Sequence, residues 1–128
     1  MKENVFITGG SGFLAKNLVE TLIEKYNITL VTRSNKTREI LLDKYKSIDV
    51  IVINWRDQSQ VHNSLKNADY IVHSGAMVPT RSQSNNFKII KSSLMVAKKI
   101  IFANLTKLKK LIFISTLRTC INTENIIQ

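Results

Sequence analysis

The chain has 128 residues, 44% of them hydrophobic, which is enough for one packed domain but not for two. Nineteen lysines and arginines against nine aspartates and glutamates give a formal net charge of +10, which suits anionic partners in general. The single cysteine, Cys120, excludes an internal disulfide, and without a recognisable signal peptide or long apolar run we expect a cytoplasmic protein with no membrane contact.

The segment from Asn4 to Leu22 predicts a strand, a tight turn with three of the chain's four glycines, and a helix. Backbone without Cβ atoms can approach a diphosphate closely, and the N–H groups that begin the helix can hold that anion. Gly9, Gly12 and Ala15 form a G-x-x-G-x-x-A series, in which the last small residue lets the helix pack closely on its strand. We therefore predict a dinucleotide-binding turn. Its residues are Gly9, Gly10, Ser11, Gly12, Phe13 and Leu14.

The second predicted strand, Ile28 to Thr32, ends at a position that indicates which dinucleotide binds. In dinucleotide-binding folds an acidic residue at this position accepts from the 2′-hydroxyl of NAD, whereas an arginine pairs with the 2′-phosphate of NADP. The chain has Arg33 there, followed by Ser34, and no acidic residue before Glu39. A guanidinium gives a phosphate a planar, charged donor. We predict NADP as the preferred cofactor over NAD; the alternative is that Arg33 is an ordinary surface charge.

The next predicted elements are a helix from Thr37 to Lys46 and a strand from Asp49 to Ile53. The strand is an unbroken β-branched run of the kind that parallel sheets bury on both faces. Asp57, with Gln60 three residues later, predicts a capping box for a helix that extends to Lys66.

The fourth predicted strand, Asp69 to His73, leads into a polar loop from Met77 to Asn86. Loops at the carboxyl edge of a parallel sheet are where substrates usually bind. Histidine titrates near neutral pH, but His73 stands alone at the end of a buried strand with no carboxylate or second ligand close by in the sequence. We therefore interpret it as a structural residue and not as a general base.

A long helix from Asn86 to Asn104 and a fifth strand from Lys109 to Thr116 complete the predicted elements. The helix has a broad apolar side, which we expect to be buried. Its members are Ile89, Ile90, Leu94, Val96, Ala97, Ile100, Ile101 and Ala103. An outer edge of Leu111 to Ile114 is expected to be open to pairing with another chain, so we predict marginal solubility or edge-mediated association.

Three segments resemble the extended short-chain dehydrogenase/reductases, the family of nucleotide-sugar epimerases, dehydratases and related reductases. T-G-G-S-G-F-L-A at 8–15 resembles the family's T-G-G-x-G-F-[IL]-G, with Ala15 in the place of a third glycine. D-Y-I-V-H-S-G-A at 69–76 is similar to its D-x-V-x-H-x-A-A, and K-L-I-F-I-S-T at 110–116 is similar to its r-[FV]-[IV]-x-[IV]-S-[ST].

The resemblance implies further site residues. Asn54 stands where the family has an aspartate that hydrogen-bonds the adenine amino group, and Trp55 flanks the adenine, with a core or lid role as the alternative. Gly75 and Ala76 would let the chain pass under the diphosphate and the nicotinamide ribose. Thr116 would hydrogen-bond the substrate oxygen at the reacting carbon as a catalytic residue, although hydroxyl residues are also common at strand ends. No metal site is expected.

The family's general base, a Tyr-x-x-x-Lys pair on a helix, has no counterpart, because none of Tyr26, Tyr45 and Tyr70 has a lysine four residues later. We therefore expect the cofactor-binding portion of an NADP-dependent epimerase, dehydratase or reductase, truncated before its substrate domain and inactive alone. A non-catalytic NADP-binding sensor is one alternative. A basic nucleic-acid-binding protein is the other, and sparse aromatics and the lack of a binding motif disfavour it.

The predicted fold is a three-layer αβα sandwich with five parallel strands in the order 3-2-1-4-5, an incomplete Rossmann fold over residues 1–128. The cofactor is expected at the carboxyl edge of the sheet, where the strand order reverses. The expected partner is a small-molecule substrate. A homodimer through the long helix, which packs dimers in many members of the resembled family, stays open.

Overall fold

The computed structural model describes residues 1–74 and 87–114, except for the side chains of residues 87–90, 92 and 93. The strands are β1 (Glu3–Thr8), β2 (Tyr26–Thr32), β3 (Asp49–Val52), β4 (Tyr70–His73) and β5 (Lys110–Phe113). The helices are α1 (Phe13–Leu22), α2 (Asn35–Lys44), α3 (Gln58–Leu65) and α4 (Phe87–Ile101). The five strands form one sheet in the order β3-β2-β1-β4-β5, with every neighbouring pair parallel, which confirms the predicted topology.

Alternation along β1 divides the core into two clusters, one on each face of the sheet. Val5 and Ile7 pack on one face with residues of α1 and α2, among them Ala15, which is fully buried. Phe6 points to the opposite face and packs with residues of α3 and α4. Because successive strand side chains point to opposite faces, a continuous apolar strand between two helical layers buries both of its faces.

The strand β3 lies at one edge of the sheet, and this corrects the prediction that it is buried on both faces. Ile51 and Val52 are only half-buried, and Asp49 is exposed. The run of β-branched residues predicted a strand correctly, but the strand order leaves β3 with a neighbour on one side only. At the other end of the described sheet, Ile112, Phe113 and Ile114 are exposed at 41%, 47% and 36%, and association through this edge stays a prediction.

The buried stripe of α4 is narrower than predicted. Val96, Ala97 and Ile100 are buried, whereas Leu94 and Ile101 are 56% and 60% exposed. Residues seven apart lie on the same face of a helix, so Leu94 and Ile101 share a face that points away from the sheet. The homodimer expected through this helix stays a prediction. No helix in the described part of the chain combines the length and the hydropathy needed to cross a membrane.

Half of the predicted capping box is present at the start of α3. The Asp57 carboxylate accepts from the Gln60 N–H at 3.2 Å, as predicted. The Gln60 side chain does not return to Asp57, because its Oε1 accepts from the Asn54 N–H at 2.7 Å. The glutamine therefore fixes the segment between β3 and α3 in addition to the helix end.

The connection after α4 contains a position with left-handed backbone. Asn104 has φ 53°, the one positive φ of a non-glycine residue in the described part of the chain. We expect Asn104→Val to lower the free energy of unfolding by about 1–2 kcal/mol, because the branched side chain clashes with the backbone in this conformation. Denaturant titration measures this loss, and Asn104→Gly serves as the control that should stay at or above wild-type stability. Equal midpoints for the two variants would contradict the assignment of strain.

Candidate functional site

A pocket of about 290 Å³ opens at the carboxyl edge of the sheet, where the strand order reverses between β1 and β4. Residues from the ends of β1, β2 and β4, from the turn after β1, from the segment between β3 and α3, and from α2 and α4 line it. They are Thr8, Gly9, Gly10, Ser11, Val31, Thr32, Arg33, Thr37, Trp55, His73 and Val96. A concave site at a strand-order reversal is where open α/β sheets usually bind their ligands.

The turn between β1 and α1 needs its glycines for two different reasons. Gly9 has φ 68°, a left-handed conformation that residues with a Cβ rarely adopt. Its carbonyl accepts from the Gly12 N–H at 2.9 Å and closes the turn. A Cβ on Gly10 would lie 3.0 Å from the Cβ of Leu30, so the bare backbone there lets the turn pack against β2. The Gly10 N–H also donates to the carbonyl of Val31 at 3.2 Å.

The amino end of α1 fits an anion. Its N-cap is Gly12, which offers no side-chain acceptor to the N–H groups of the first turn. Because those groups lack helical partners and lie at the positive end of the helix dipole, a phosphate can accept from them. The N–H groups of Gly10 and Gly12 are already used within the protein, so the first turn of α1 would provide the donors. Phe13 and Leu14 are exposed and do not fold across the pocket.

The end of β2 contributes a cation and a hydroxyl to the pocket. Arg33 is exposed and lines the pocket. Ser34 is the N-cap of α2: its hydroxyl accepts from the Thr37 N–H at 3.2 Å and donates to the Thr37 Oγ1 at 2.9 Å. The Ser34 hydroxyl is therefore engaged in the cap, while Thr37 reaches the pocket wall. A contact from Ser34 to a cofactor stays a prediction.

Asn54 and Trp55 lie side by side but in different environments. The Asn54 side chain is exposed, lies outside the pocket lining and accepts from the Arg56 N–H at 3.1 Å. Trp55 is only 7% exposed, belongs to the core cluster on the α3 and α4 face, and lines the pocket. The core role weighed for Trp55 is therefore present, and the same residue also lines the pocket. Its contact with an adenine stays a prediction.

The end of β4 is tied to the end of β1 by hydrogen bonds. His73 is fully buried, and its Nδ1 lies 2.8 Å from the Thr8 Oγ1. The Ser74 N–H donates to the same oxygen at 3.0 Å. Burial, and then the positive charge of Arg33, lower the pKa of His73 below its usual value, so the imidazole is neutral at neutral pH. These contacts agree with a structural role for His73.

Of the residues predicted to bind the cofactor, Gly9, Gly10, Ser11, Arg33 and Trp55 come together in the pocket lining. Gly75, Ala76 and Thr116 lie outside the described residues, so their roles stay predictions. The prediction did not include Thr8, although it immediately precedes the first glycine. It also missed Thr37 and Val96, which helix packing brings to the pocket and which no local sequence signal marks.

The strand order, the glycine turn and the pocket at the reversal define a Rossmann-type α/β domain. The chain matches the NAD dependent epimerase/dehydratase family over residues 5–122. It belongs to this family, whose members use a nicotinamide cofactor, and the resemblance to extended short-chain dehydrogenase/reductases is confirmed.

Similar proteins agree with this assignment. The chain is 31% identical over 83 residues to a sterol-4-alpha-carboxylate 3-dehydrogenase, decarboxylating, of Dictyostelium discoideum, covering 64% of this chain and 25% of the relative. It is 27% identical over 119 residues to a UDP-N-acetyl-alpha-D-glucosaminuronate decarboxylase of Bacillus cytotoxicus, covering 91% and 37%. The X-ray structure of Pen from Bacillus thuringiensis superposes with a TM-score of 0.75 at 22% identity, covering 88% and 36%, which supports the fold. The chain thus spans about a quarter to two fifths of the length of these relatives.

Proposed function

We propose that this chain is the cofactor-binding part of an oxidoreductase of the epimerase/dehydratase family and that it binds NADP in preference to NAD. The observation that carries the proposal is the pocket in which the glycine turn, Arg33 and Trp55 meet at the strand-order reversal. The first turn of α1 would hold the diphosphate, and Trp55 would lie against an apolar part of the dinucleotide. Bound nicotinamide would supply a hydride acceptor or donor.

The preference for NADP rests on Arg33. This guanidinium lies at the end of β2 on the pocket wall, where a 2′-phosphate of an adenosine ribose would be expected. Its charge influences the interior of the pocket, because it contributes to the lowered pKa of His73. No aspartate or glutamate is among the lining residues, so within the described wall a phosphate would meet a cation and no opposing carboxylate.

For the whole protein we propose a nucleotide sugar, or a related molecule with a carbonyl or hydroxyl at the reacting carbon, as the substrate. The Bacillus cytotoxicus relative, which acts on a UDP-linked sugar acid according to its name, supports this class. The 128 residues by themselves are proposed to bind cofactor without turnover, because their sequence contains no tyrosine followed four residues later by lysine.

Titration with NADPH and NADH tests the proposal. Trp55 is the single tryptophan of the chain and lies in the pocket wall, so we expect NADPH to quench its fluorescence. The dissociation constant for NADPH should be at least about tenfold lower than that for NADH, because a charged hydrogen bond is worth about 1.5–3 kcal/mol. In Trp55→Phe, calorimetry should still detect binding while the optical signal disappears. Failure of both nucleotides to bind by calorimetry would refute the proposal, and equal affinities would refute the preference alone.

A further inference from the structure

The structural role of His73 accounts for the contact of only one of its two ring nitrogens. Nδ1 contacts the Thr8 hydroxyl, but Nε2 is buried and has no hydrogen-bond partner among the described residues. A buried polar atom without a partner costs about 1–3 kcal/mol. Native proteins contain few such atoms, and because His73 lines the pocket, a bound ligand is one group that could satisfy Nε2.

The surroundings of the ring determine how a ligand could reach Nε2. The Phe113 ring lies 4.8 Å from the imidazole, centroid to centroid, on β5, and it is half exposed at the sheet edge. His73 also lines the same pocket as the glycine turn and Arg33. Because Nε2 is itself covered, a ligand would reach it only after the surrounding side chains, to which Phe113 belongs, are displaced.

We propose that Nε2–H of neutral His73 donates a hydrogen bond to an oxygen of the bound dinucleotide, with the Thr8 hydroxyl donating to Nδ1 and selecting this tautomer. The inference rests on the proposed function, and it assigns His73 a binding role in addition to its structural one. The Thr8 Oγ1 accepts from the Ser74 N–H and lies 2.8 Å from Nδ1, a distance at which its hydroxyl can donate to the imidazole. Diphosphate and ribose both offer acceptor oxygens, which suits a neutral donor at this point.

The chain contains an internal reference for the tautomer. Its other histidine, His62, places Nδ1 2.6 Å from the carbonyl oxygen of Ala103. A carbonyl only accepts, so Nδ1 of His62 carries a proton. Nitrogen-15 NMR of the NADPH complex near pH 8 should therefore show opposite tautomers, with Nδ1–H at His62 and Nε2–H at His73. A proton on Nδ1 of His73 in that complex would overturn the inference.

Two substitutions test the two ring nitrogens of His73 independently. His73→Asn retains a polar atom near the position of Nδ1 and removes Nε2, whereas His73→Gln can place its amide nitrogen near the position of Nε2. We expect His73→Asn to weaken NADPH binding about tenfold and His73→Gln to remain within about threefold of wild type. Circular dichroism checks that both variants fold, and the NMR test needs no variant.

The outcomes distinguish this inference from the proposed function. If wild type binds NADPH and His73→Asn binds it equally well, the hydrogen bond from Nε2 is refuted while the proposed function stands. If wild type binds neither NADPH nor NADH, the proposed function fails and this inference fails with it. Weaker binding by His73→Asn, together with Nε2–H in the wild-type complex, supports it.

Discussion

Arg33→Asp is expected to weaken NADPH binding about 100-fold while changing NADH affinity by less than about threefold. The substitution removes the proposed partner of the 2′-phosphate and puts a carboxylate in its place, so attraction becomes repulsion. The same carboxylate can accept from the 2′-hydroxyl of NAD, which would offset small losses elsewhere. Isothermal calorimetry with both reduced nucleotides, at one fixed ionic strength, measures the ratio of the two dissociation constants.

Lys25→Asp is the matched control for charge. It changes the net charge by the same amount at an exposed residue between α1 and β2, at the opposite edge of the sheet from the pocket. We expect it to lower the affinity for both nucleotides only slightly, since distant exposed charges are screened by salt. Two results would refute the phosphate role of Arg33. One is an equal loss of affinity for NADPH and NADH in Arg33→Asp, and the other is the same change in the ratio of the two dissociation constants in Lys25→Asp.

Gly9→Val is expected to abolish detectable binding of both nucleotides, with affinities lowered about 100-fold or more. Valine at φ 68° costs about 1–2 kcal/mol in the native backbone, and relief of that strain would rotate the carbonyl that accepts from the Gly12 N–H. Because Gly12 is the N-cap of α1, opening this hydrogen bond displaces the N–H groups that we expect to hold the diphosphate. Unlike Arg33→Asp, the substitution should not discriminate between NADPH and NADH.

Asn104→Val is the matched control for backbone strain. It introduces the same side chain at a second position with left-handed backbone among the described residues, in the connection after α4. Both variants should lose similar stability in denaturant titrations, but only Gly9→Val should lose binding, because Asn104 is not among the residues that line the pocket. If the nucleotide affinity of Gly9→Val falls no further than that of Asn104→Val, the glycine turn does not hold the ligand.

The elements nearest to the glycine turn were predictable from the sequence because their signals are local. The apolar run before Gly9, the helical spacing after Gly12 and the position of Arg33 depend on residues that are close along the chain. The parallel topology followed as well, because strands that alternate with helices have few permitted arrangements. The G-x-x-G-x-x-A series predicted that Ala15 packs closely against its strand, and Ala15 is fully buried.

The errors concern burial that depends on distant neighbours. Leu94 and Ile101 have the same apolar character as the buried Ile100, and only the packing of α4 on the sheet determines which of them is covered. The sequence of β3 resembles that of a central strand, although the predicted strand order already placed it at the edge, and the packed structure shows that Ile51 and Val52 are only half-buried. Hydrophobicity is a property of a residue, whereas burial is a property of its position in the fold.

The sequence by itself determined the family, the strand order and the turn that begins the first helix, because glycine spacing and hydrophobic periodicity act over short stretches of chain. Only the tertiary structure decided which side chains form the pocket wall. Thr8, Thr37, His73 and Val96 meet there from four separate elements. It also showed that a Cβ at Gly10 would crowd the side chain of Leu30, and that one nitrogen of His73 lacks a hydrogen-bond partner among the described residues. Such contacts join residues far apart in the chain, and no local pattern encodes their distances.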